Sequence, residues 1–90
     1  MRWHLEYTAK ARKQLQKLNP NQRKIILSWI DKNLDGCTNP RAVGKALTGD
    51  HTGEWRYRVG NYRILCEIHD EEVTILALNV IHRSRAYRRR

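Results

Sequence analysis

Ninety residues suffice for one domain with a modest core and leave no room for a second domain or a large lid. Eighteen Lys+Arg stand against nine Asp+Glu, a formal net charge of +9 with a pI of about 10.2, so the surface field attracts polyanions, nucleic acid first among them. The apolar runs are far shorter than the roughly 20 residues that cross a bilayer, and the opening Met1-Arg2-Trp3-His4-Leu5-Glu6 carries no export signal, so a cytoplasmic location is expected.

Residues 2–7 alternate large and polar groups, the pattern of a half-buried strand. Thr8 is placed to cap a helix in which Ala11, Leu15 and Leu18 form a narrow apolar stripe among lysines, arginines and glutamines. Asn19-Pro20 then reads as an N-cap followed by proline at the first helical position. The second helix carries Ile25, Ile26, Trp29, Ile30 and Leu34 on its apolar side and stops near Gly36. Residues 37–53, with Pro40, Gly44, Gly49 and Gly53, are expected to form a connector with one helical turn.

From Glu54 the period becomes two. Trp55, Tyr57 and Val59 alternate with Glu54, Arg56 and Arg58; Gly60-Asn61 marks a two-residue hairpin turn; Tyr62, Ile64, Cys66 and Ile68 alternate with Arg63, Leu65, Glu67 and His69. After a turn at Asp70-Glu71, Val73 to Ile81 is apolar on both faces and belongs inside the sheet. The expected fold is α+β, a single domain over 1–90 in the order β-α-α-β-β-β. A helical hairpin packs on one face of a small, mainly antiparallel, twisted sheet, and a basic segment follows at 83–90.

The hairpin register carries the functional argument. A Gly60-Asn61 loop pairs Val59 with Tyr62 and Arg58 with Arg63, which puts Arg56, Arg58 and Arg63 on one face. Like charges directly opposite one another cost stability unless something anionic lies between them. A phosphate in such a fork gains bidentate, charge-assisted hydrogen bonds. Unbroken counting across an Asp70-Glu71 turn pairs Arg63 with Leu78 and brings His82 to the rim of the same face. The final stretch, His82-Arg83-Ser84-Arg85-Ala86-Tyr87-Arg88-Arg89-Arg90, has five arginines, no acids, one histidine and one tyrosine, and reads as a clamp for unpaired RNA, with Arg85, Arg88 and Arg89 as RNA-binding residues. Cys37 and Cys66 lack zinc-site spacing, no glycine pattern cradles phosphate, and no cofactor is expected.

Taken together, the Lys45-Ala46-Leu47-Thr48-Gly49 connector, the block Trp55-Arg56-Tyr57-Arg58-Val59-Gly60-Asn61-Tyr62-Arg63-Ile64-Leu65, and His82-Arg83 followed by Tyr87 resemble the RelE-type toxins of bacterial toxin–antitoxin pairs over nearly the whole chain. That resemblance implies a metal-independent, ribosome-dependent messenger-RNA endonuclease that works by attack of a ribose 2′-oxygen on the adjacent phosphate. It implies roles for Arg56, Arg58, Arg63 and Arg83 around the phosphate and for Tyr87 in stacking. The best-known pattern has lysines at the two second-strand positions; arginine does not usefully give up its proton, so His82 is expected to take a proton-transfer role. An acidic, RelB-like antitoxin is the implied partner, with promoter DNA as a target of the toxin–antitoxin complex left open. ParE-type poisoning of DNA gyrase, or RNA binding without catalysis, are the alternatives.

Overall fold

The computed structural model describes residues 1–49 and 53–86, the last by its backbone alone. The elements are β1 (His4–Tyr7), α1 (Ala9–Lys17), α2 (Pro20–Asn33), β2 (Lys45–Ala46), β3 (Glu54–Val59), β4 (Tyr62–His69), β5 (Thr74–His82) and α3 (Arg83–Ala86). They build one five-stranded sheet in the order β1-β5-β4-β3-β2, parallel between β1 and β5 and antiparallel elsewhere. The α+β expectation holds, with β2 and α3 added to it.

Both long helices start where local chemistry dictates. Thr8 Oγ1 accepts from the Ala11 N–H at 3.0 Å, and Asn19 Oδ1 accepts from the Gln22 N–H at 2.8 Å just ahead of Pro20. Each such cap contributes about 1 kcal/mol. Ala11, Leu15, Ile26, Ile30 and Leu34 from the helices close on Tyr57, Val59, Ile64, Cys66, Ile75, Ala77 and Val80 from the sheet, and this single cluster is the core. Ile25, expected on the apolar stripe, stands 47% exposed at its margin. Burial pushes the Cys66 thiol up to about 12, with the charge of Glu54 adding to the effect; the Cys37 thiol is also raised, mainly by burial. Both shifts disfavour the thiolate, the nucleophilic form.

The connector between α2 and β3 is fastened by aromatic side chains of β3 and holds the short strand β2, with a 3₁₀ position at Gly49. The fully buried Tyr57 donates its hydroxyl to Pro40 O at 2.6 Å, and Trp55 Nε1 donates to Val43 O at 2.8 Å. Trp29 of α2 packs on Tyr57 with ring centroids 5.9 Å apart. Arg41 makes a two-pronged ion pair with Asp70, both distances 2.9 Å, which joins the connector to the β4–β5 turn. Gly44, at φ +82°, passes so close to β3 that a Cβ there would meet Arg56 O and lie 2.6 Å from Trp55 Nε1.

The β4–β5 register departs from the expected one in two ways. The turn spans Asp70 to Val73, so His69 pairs with Thr74; a turn two residues longer than Asp70-Glu71 preserves the alternation. A bulge between Leu65 and Cys66 then makes Leu78 the extra residue of β5 and reverses the faces beyond it. Arg63 therefore pairs with Ile81 rather than Leu78, Ile64 with Val80, and Tyr62 with His82. The cause lies in α1. β1 ends its pairing at Tyr7–Ala77, and beyond it Thr8 Oγ1 donates to Leu78 O at 3.2 Å while Gln14 Oε1 accepts from the Val80 N–H at 2.6 Å.

Candidate nucleic-acid interface

The β3–β4 hairpin has the expected register: Val59–Tyr62 closes it around Gly60-Asn61, with Arg58 opposite Arg63 and Arg56 opposite Leu65. Gly60 takes φ +59°, as the tight turn requires. Strand alternation sets Arg56, Arg58 and Arg63 on the sheet face away from the helices, since Tyr57, Val59 and Ile64 between them are core. Arg58 is exposed, Arg56 half-buried, and Arg63 only 4% exposed, its Nη1 donating to Tyr62 O at 3.4 Å. The row thus runs from a solvated guanidinium to one inside the protein, where charge interacts through a lower effective dielectric.

One cation escaped the sequence reasoning. Lys45 of β2 pairs with Arg56 and so joins the same face. No periodicity marks it, because a two-residue strand is too short to show one. Lys45, Arg56 and Arg58 also border a cleft of about 240 Å³ together with Trp29, Val43, Gly44 and Tyr57.

His82 does not join them. Its partner Tyr62 lies on the helix side of the sheet, and the two rings meet edge to face at 5.3 Å. The bulge is the reason: it turns Val80 and His82 toward α1, while Thr74 and Leu76, before it, keep their expected side opposite His69 and Glu67. Arg83 opens α3, and its N–H donates to Asn61 O of the hairpin turn at 2.7 Å, which holds its backbone beside that turn. Arg83 and Arg85 are exposed on α3. Tyr87, Arg88 and Arg89 lie outside the described residues.

At the far end of the same face the charge reverses. Glu54 pairs with Glu67, and His69 Nε2 approaches Glu67 Oε1 at 2.8 Å. The β3–β4 ladder is therefore acidic where it begins and cationic at its turn.

The α+β fold is that of the toxin class suggested by the sequence, and comparison places the chain there. A family model described as the ParE toxin of the type II toxin–antitoxin system parDE matches residues 5–87. The chain belongs to that family, within the RelE/ParE superfamily of toxins. It is 35% identical to Toxin RelG of Mycobacterium tuberculosis over 89 residues, covering 99% of this chain and all of that one. Toxin RelE of the same organism is 29% identical, over 96% of this chain and 87% of its own length. Among solved structures, the M. tuberculosis toxin–antitoxin complex RelBE2 aligns with a TM-score of 0.83 at 32% identity, covering 93% of this chain and 94% of that one.

Proposed function

We propose that this toxin is a ribosome-dependent messenger-RNA endoribonuclease. The observation that carries the reading is the Arg58–Arg63 pair, two arginines at directly paired positions across a tight hairpin, with Arg56 and Lys45 on the same face. An isolated sheet gains nothing from that arrangement; a scissile phosphate does. Attack of the 2′-oxygen builds negative charge on the phosphate oxygens as the new P–O bond forms, the 2′-hydroxyl proton departs and the bond to the 5′-oxygen breaks. The leaving oxygen takes up a proton and a cyclic phosphate remains. Arg56, Arg58, Arg63 and Arg83 supply pre-oriented positive charge to that transition state, usually the largest single contribution. Tyr87 stacks on a base beside the cut, and Arg85, Arg88 and Arg89 hold the strand. His82, on the other side of the sheet, is left out of the proton transfer.

The relatives' names support a toxin, and the RelBE2 structure pairs a toxin with an antitoxin. We extend the same partnership here: an acidic antitoxin covers the arginine face, competing for the charge that RNA needs. Work on ribosomes places the protein in the cytoplasm.

The test adds purified protein to a translation extract and maps transcript ends by primer extension, with a gyrase supercoiling assay in parallel. Cuts in phase with codons, present only with ribosomes and reduced about 100-fold or more in Arg63→Ala, are the expected result. Inhibited supercoiling without cuts would overturn the reading in favour of a gyrase poison. Binding to RNA without cuts would leave a non-catalytic relative.

A further inference from the structure

The ring of His82 stands on the helix side of the sheet, the side opposite the arginine row. His82 immediately precedes α3, and its Nδ1 lies 3.2 Å from the Ser84 N–H and 3.0 Å from Ser84 Oγ. A backbone N–H only donates, so Nδ1 is the acceptor and carries no proton in this arrangement. This is the geometry of an N-cap: the side chain of the residue before the helix satisfies the N–H two residues on. The ring is steadied by the edge of Tyr62, and it borders a groove of about 400 Å³ between α1 and the end of β5, with Lys17, Leu18 and Arg85 among its other walls. A second latch acts one residue along, where the Arg83 N–H donates to Asn61 O.

We propose that His82 is a positioning residue, which ends β5 by capping α3 and so fixes Arg83 beside the Gly60-Asn61 turn that carries Arg58 and Arg63. Without the cap, the strand period continues past His82 and Arg83 loses its place beside the hairpin turn. The part of this inference that concerns RNA rests on the cleavage reading above; the cap itself does not.

Asparagine separates the roles. It is among the best N-cap residues and cannot exchange a proton near neutrality. In His82→Asn, the Ser84 amide keeps its protection from hydrogen exchange and kcat for cleavage stays within about threefold of the parent. In His82→Ala, the Ser84 amide exchanges at least about tenfold faster, and KM for RNA rises more than kcat falls. Two results overturn the proposal: Ser84 protection unchanged in His82→Ala, or His82→Asn losing cleavage as fully as His82→Ala while Ser84 stays protected. If the parent protein cuts no RNA, the cleavage reading fails, and the exchange measurement alone decides for or against the cap.

Discussion

Single residues decide whether the cationic face is complete, and Gly44 is the sharpest case. Its positive φ and its closeness to the Arg56 carbonyl let β2 lie against β3, which is what brings Lys45 opposite Arg56. Gly49 has a comparable φ of +68°, but among the described residues nothing lies within 4 Å of its would-be Cβ. Both alanine variants incur the strain of a left-handed backbone, on the order of 1 kcal/mol. Only Gly44→Ala also forces atoms apart. Urea unfolding should show Gly44→Ala less stable than Gly49→Ala by about 1–3 kcal/mol, and RNA affinity should drop in the first variant alone as Lys45 shifts. Equal losses of stability would mean that the close approach is relieved without cost. The sequence could not single out Gly44 among the connector glycines, because what sets it apart is the Arg56 carbonyl and the Trp55 and Tyr57 rings of a strand eleven to thirteen positions away.

At the scale of elements, what was legible was local. Thr8 before α1, Asn19-Pro20 before α2 and Gly60-Asn61 between β3 and β4 each act on their own neighbours, and each boundary stands where the residues put it. The same locality made the Arg58–Arg63 pairing readable, since only a two-residue turn had to be counted. The β5 register was not readable, because one extra residue reverses every face beyond it and the groups that stabilise the bulge come from α1. Gln14 lies 66 residues before Val80 in the chain. Gln14→Leu keeps size and helix propensity while removing the acceptor for the Val80 N–H. It should lose about 1–3 kcal/mol in urea unfolding, the cost of a stranded buried donor, with faster amide exchange at Val80. A variant as stable as the parent, with Val80 still protected, would show that another group or water takes over the bond and that Gln14 does not fix the bulge.

Across the whole molecule, the charge is distributed as well as large. The Glu54–Glu67 and Arg58–Arg63 pairs sit four ladder steps apart on one face, about 13 Å at the usual strand rise. A polyanion crossing this face is drawn to the turn end and repelled from the other, so orientation is set before any short-range contact forms. Salt dependence measures how many cations take part. If Lys45, Arg56, Arg58, Arg63 and Arg83 each neutralise one phosphate of a single strand, the plot of log affinity against log salt has a slope of about −3.5. Arg58→Gln should make that slope shallower by about 0.7, whereas Lys24→Gln on α2, away from the face, should leave it unchanged. Fluorescence anisotropy with a short unstructured RNA, titrated at several salt concentrations, reads both. A slope near zero would show that phosphate neutralisation does not drive binding, and one equally sensitive to Lys24 and Arg58 would show that attraction comes from net charge spread over the surface and not from the row at the hairpin turn.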